Sequence, residues 1–130
     1  LYYYLNDNLR MDFFLNPDEK EIQFYISESN VPVIIKRLVT RAPIQKIKNK
    51  KAVVPIATLE KIMVDLFADE NLLHFYQGSE MVNIYEKIID RYSINFTKLF
   101  SYAKRRKKEQ EIKQFISNNI PNFLEDIQYD

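Results

Sequence analysis

Apolar positions run through this chain in two rhythms, short clustered runs in the front half and a helical repeat in the back half. Leu59, Ile62, Met63, Leu66 and Phe67 fall at i, i+3, i+4, i+7 and i+8, so they form the buried face of an amphipathic helix. Val53 to Pro55 before it reads as a strand that ends at the proline, and Thr58 stands at the joint. Leu72, Leu73, Phe75 and Tyr76 predict a following helical piece closed by Gln77-Gly78, the glycine serving as a left-handed C-cap. Ser79 is placed to cap a helix over residues 80–92 whose stripe is Met81, Ile84, Tyr85, Ile88, Ile89 and Tyr92. Asn95 caps the next, with Phe96, Leu99, Phe100 and Ala103 as its face, and Ile112, Phe115 and Ile116 mark the last helix.

The front half has different signals. Leu1, Tyr4 and Leu5 share helical spacing and end at the turn formers Asn6 to Asn8, while Met11 to Leu15 predicts a short strand. Asn16-Pro17-Asp18-Glu19 reads as an N-cap, a proline at the first helical position and two first-turn acids, with Ile22, Tyr25 and Ile26 as the apolar side of the helix. The β-branched run from Val31 to Val39 predicts a central strand. Ile44 to Lys48 and Ala52 to Pro55 flank Asn49-Lys50-Lys51 as a hairpin with Lys46, Lys48, Lys50 and Lys51 exposed. The expected fold is therefore α+β, a small β-sheet with a basic hairpin followed by a helical C-terminal half.

With 130 residues the chain fits a single domain able to bury one core without staples. It has no cysteine, which removes disulfides and thiolate chemistry and fits a cytoplasmic setting. No uncharged apolar run is long enough to span a membrane, so no membrane partner is expected. The apolar start Leu1-Tyr2-Tyr3-Tyr4-Leu5 predicts an element cut from a longer protein, with a part missing before it. A net charge of +1 exerts no global pull, but the distribution is uneven: residues 31–59 hold seven bases and no acid, and Lys104 to Lys108 is five bases in a row.

Few residues offer chemistry. Asp65 and Asp69 share a helix edge with Lys61; as a metal or proton-sharing pair they supply too few ligands, and pairing with Lys61 is the simpler reading. His74 is the only histidine and Gly78 the only glycine, so neither a two-histidine metal site nor a glycine-rich phosphate loop can form within the chain. No catalytic residue, metal site or cofactor is expected. A solvated face is the default for a charge run, yet the basic hairpin and the second run, if brought together, would hold phosphates or an acidic protein surface, with Tyr102 available for stacking.

The order of segments carries a further signal. Asn16-Pro17 before an acidic helix, Leu38-Val39-Thr40-Arg41-Ala42-Pro43, Pro55 followed by Thr58 to Phe67, Phe75-Tyr76-Gln77-Gly78-Ser79-Glu80, and Tyr92 to Phe96 with Tyr102-Ala103-Lys104-Arg105-Arg106 together resemble the C-terminal domain of bacterial AbiEi-like proteins. These are antitoxin and transcriptional regulators of abortive-infection, type IV toxin-antitoxin systems. The resemblance implies a non-enzymatic regulatory module that counteracts a nucleotidyltransferase-like toxin, here without the family's N-terminal DNA-binding winged helix. On this reading Arg41, Glu60, Lys61 and Asp65 order the junction between hairpin and helix, and Lys104, Arg105 and Arg106 are the surface candidates for a partner or a phosphate backbone. A nucleic-acid-binding module using the basic patches is the alternative, and a metal-dependent nuclease built on Asp65 and Asp69 the third reading.

Overall fold

The computed structural model describes residues 11–70, 73 and 77–120. The helical turns expected over Leu1 to Asn8, and Leu72, His74, Phe75 and Tyr76, lie outside the described residues. The chain divides into two compact units, Leu1–Leu38 and Val39–Asp130. The α+β class holds, with the sheet content split into two pairs of strands and the helices concentrated in the C-terminal half.

In the first unit, β1 (Asp12–Leu15) pairs with β2 (Pro32–Ile35) in parallel, Phe13 opposite Val33 and Phe14 opposite Ile34. A parallel pair needs a crossover, and α1 (Glu19–Glu21) with the π-helical segment Ile22–Ile26 supplies it. The cap of α1 is Asp18, whose Oδ1 accepts from the Glu21 amide at 2.8 Å, and not Asn16. Asn16 instead takes a left-handed φ of 43° and accepts from the Arg37 amide at 3.0 Å, a role that suits its short polar side chain. Two further expectations change. The segment predicted as a central strand is four residues long and has one neighbour, β1, because the chain leaves the ladder at Lys36. Tyr25, expected on an apolar face, is exposed, because five-residue π-helical winding shifts the register of that face; Phe13 is the buried residue of this unit among those described.

The second unit begins with a turn closed by the Ala42 amide donating to Val39 O, with Arg41 at φ 59°. β3 (Ile44–Lys48) and β4 (Val53–Ala57) then form the expected antiparallel hairpin, its tip held by Asn49 Oδ1 accepting from Lys51 and Ala52 amides. The strand runs through Pro55 to Ala57. Bonds from the Asn49 amide to Ala52 O and from the Thr58 amide to Pro43 O set the phase of the ladder. Pro55, opposite Lys46, thus occupies a non-hydrogen-bonded pair where its missing N–H leaves no partner unsatisfied.

Thr58 ends the hairpin and caps α2 (Leu59–Ala68): its Oγ1 accepts from the Lys61 amide at 3.2 Å and donates to Pro43 O at 2.9 Å. On α2 the fully buried positions are Met63 and Val64, with Leu59, Leu66 and Phe67 packed at the margin, whereas Ile62, expected in the stripe, is 40% exposed. The buried face is rotated because α2 packs against both α3 (Ser79–Arg91) and α4 (Phe96–Arg105). Gly78 does take a left-handed φ of 68°, but as the residue that enters α3, and Ser79 is the first helical residue. Met81 and Tyr85 on α3, Leu99, Tyr102 and Ala103 on α4 and Ile112 and Ile116 on α5 (Glu109–Asn119) close the core; Tyr92 stays exposed at the end of α3. Tyr85 packs edge-on to Phe115, 5.2 Å between centroids, and its hydroxyl donates to Met63 O at 2.6 Å.

α4 stops inside the basic run. The Lys107 amide donates to Lys104 O and the Lys108 amide to Ala103 O, with Lys107 at φ 59°, which is a Schellman ending with lysine in the place glycine usually takes. The five bases therefore do not wrap one helix; they leave it in different directions.

Candidate functional site

The charged edge of α2 faces α4 and carries a set of paired charges. Asp65 Oδ2 pairs with Lys61 Nζ, while its Oδ1 accepts from Tyr102 Oη at 2.7 Å and from Arg106 Nη1 at 2.5 Å. Arg106 Nη2 reaches Asp69 Oδ1 at 2.8 Å, so two carboxylates meet two cations and a phenol in a partly buried seam. Lys61 also lies 5.8 Å above the Tyr102 ring. Burial alone lowers the proton affinity of the Arg106 guanidinium, but the Asp69 and Asp65 carboxylates more than offset it, and its pKa is raised. Burial, reinforced by Asp65, pushes the Tyr102 phenol up to about 12. Among the described residues no group of three or more His, Asp or Glu side chains is placed to hold a metal ion.

Arg41, Glu60, Lys61 and Asp65, expected together at the junction between hairpin and helix, have separate surroundings: Arg41 lines a cleft, and the other three lie on the α2 side that faces α4. Glu60 Oε1 accepts from the Asn95 amide at 2.9 Å, so Glu60, Lys61 and Asp65 fasten α2 to the two ends of α4. The joint between hairpin and helix is the Thr58 hydroxyl on Pro43 O. Arg106, expected on the surface, is drawn inward by the aspartates, and Tyr102, read as available for stacking, is buried with its hydroxyl on Asp65.

Six of the other bases line two clefts. In one, of about 420 Å³, Arg41 and Ile44 come from the turn before β3 and its first residue, Thr58 from the start of α2, and Lys98, Ser101 and Arg105 from the exposed side of α4. Arg105 Nη1 donates to Ser101 Oγ at 3.2 Å. No acidic residue lines this cleft among the described residues. In the other, of about 230 Å³, Lys104, Lys107 and Lys108 sit with Glu109 and Glu111, and Lys108 Nζ reaches Glu111 Oε2 at 3.1 Å. Lys113 holds the Glu109 carboxyl below the usual range. The hairpin lysines Lys46, Lys48, Lys50 and Lys51 are exposed. Lys98 lies in neither basic run and so does not stand out in the sequence. A signal was present: Thr97, Ser101 and Arg105 repeat at i, i+4 and i+8, one polar line along a helix whose other side is buried.

Comparison with known proteins adds one decisive match, covering residues 1–122. The chain belongs to DUF6577, a family of unknown function. Neither the curated proteins nor the solved structures gave a match. In this member of DUF6577, Asp65 and Asp69 are paired internally with Arg106, and a basic cleft with no acid in its lining among the described residues opens on the second unit. Among the described residues no helix is long and apolar enough to cross a membrane.

Proposed function

We propose that the chain is a non-enzymatic regulatory module that works by binding, as its resemblance to the C-terminal domain of AbiEi-like antitoxins implies, and that it counteracts a nucleotidyltransferase-like toxin. The observation that carries this reading is the division of charge. Asp65 and Asp69 are neutralised by Lys61 and Arg106, while Arg41, Lys98, Arg105 and the hairpin lysines face solvent. A surface of that kind attracts and orients an acidic partner. The test is co-purification of the full-length protein with a nucleotidyltransferase-like protein encoded beside it. A stable complex that protects cells from that protein is expected; absence of both complex and protection would remove the antitoxin reading.

A second reading is favoured by the continuity of the basic surface. Ile44 lines the acid-free cleft and begins β3, so Lys46 and Lys48 follow it on the same face of the ladder, at alternate positions. That track suits a nucleic-acid backbone, and binding through it weakens steeply as salt rises. A metal-dependent nuclease is the weakest reading, since the carboxylates it requires already hold cations.

A further inference from the structure

We infer that the cleft between the Arg41 turn and α4 is a phosphate-binding site, in which Arg41, Lys98 and Arg105 supply the charge and Thr97 and Ser101 supply hydroxyl donors. This deepens the binding-module reading, on which it rests, by naming one site and one ligand chemistry. Three cations converge with no carboxylate lining the same cleft, so the local charge is uncompensated. The neighbouring cleft shows the contrast: its three lysines are balanced by Glu109 and Glu111, one of them through a direct ion pair. No ion pair to Arg41, Lys98 or Arg105 occurs among the described residues, whereas Arg106 beside them is fully engaged.

The donor set suits a phosphate better than a carboxylate. A carboxylate holds its two oxygens in one plane, whereas a phosphate spreads its oxygens tetrahedrally, two on a diester and three on a terminal monoester, so donors approaching from several directions reach it at once, and arginine forks match the oxygens in pairs. Thr97, Ser101 and Arg105 stand about 6 Å apart along α4, so the groove accepts a strand running parallel to the helix as readily as a strand end. Pro43 and Ile44 give it an apolar wall. The shared chemistry is the phosphate group; its two sources are an internal phosphodiester and a terminal monoester.

The test uses the full chain at low salt with a 3′-labelled single-stranded oligonucleotide carrying either a 5′-phosphate or a 5′-hydroxyl, and inorganic phosphate as competitor. Arg41→Asn removes the charge with a residue that accepts the left-handed backbone, and Lys98→Gln and Arg105→Gln do so on the exposed side of α4. Each is expected to weaken binding several-fold and to lower the salt slope by about 1. Lys87→Gln, an equal charge change on the exposed side of α3, is expected to leave binding unchanged. Equal affinity for the two oligonucleotides assigns the diester, and preference for the 5′-phosphate assigns the monoester. If Arg41→Asn fails to fold, Lys98→Gln and Arg105→Gln decide the matter. Absence of binding by the folded chain, or equal losses in Lys87→Gln and the cleft variants, overturns the site. A toxin complex that persists in that case would leave the module reading standing, and loss of the complex with phosphate binding intact would do the reverse.

Discussion

Lys107 holds a left-handed backbone at the end of α4, a conformation that costs a residue with a Cβ about 1 kcal/mol relative to glycine. Lys107→Gly is therefore expected to raise stability by about 0.5–1 kcal/mol, read as a higher denaturation midpoint with an unchanged denaturant slope. At Asp65 the direction reverses. Asp65→Asn leaves Arg106 and Lys61 facing a neutral amide in a partly buried seam, and a loss of about 2 kcal/mol is expected in denaturant titration. The same seam predicts a pH dependence. Tyr102 titrates near 10 in the unfolded chain and at about 12 in the folded one, so the unfolded state gives up its proton first. Its contribution is whole below pH 10 and disappears as pH rises towards 12. Tyr85, also raised by burial, acts in the same direction. Stability measured from pH 9 to 11 is expected to fall, and Tyr102→Phe to flatten that fall.

At the scale of elements the informative residue is Thr58, one hydroxyl serving two neighbours. It caps α2 through the Lys61 amide and ties the hairpin to it through Pro43 O. Thr58→Ala is expected to cost about 1–2 kcal/mol, whereas Thr58→Ser retains most of the stability, a comparison that thermal melts can make. The hairpin and the four long helices are legible because their signals are local: turn formers around Asn49, the cap at Asn95, and apolar residues at helical spacing. The misread elements had signals with two meanings. Asn16 and Asp18 are both cap formers, and only the chain path decides which one lies at the helix start. Lys107 ends α4 without the glycine that usually announces such an ending. Val31 to Val39 has the composition of a central strand, but composition does not supply a second neighbour.

For the molecule as a whole, the two units differ in how much they bury. The second encloses a continuous core from Ala42 to Ile120, with Met63, Tyr85, Leu99 and Ile116 fully buried, while in the first only Phe13 is buried among the described residues. Opening free energy follows buried apolar contact. Amides of β1 and β2 are therefore expected to exchange with solvent well before those of α2 and α4 in native-state hydrogen exchange; equal protection in both would contradict this difference. Part of the candidate site is visible in the sequence, since Arg41 and Arg105 stand out by charge. Charge alone places Arg106 on the surface along with its neighbours, because a run of like charges does not reveal which member has partners.

The sequence alone determined the α+β class, the basic hairpin, the helical second half and the lack of thiol chemistry, because each follows from residue type and spacing within a short window. Only the tertiary structure decided what the charges do. Asp65 and Arg106 are 41 positions apart, and so far along the chain an ion pair depends on how α2 and α4 pack. That packing turns one arginine into an internal tie and leaves the one before it on an open cleft with Arg41 and Lys98.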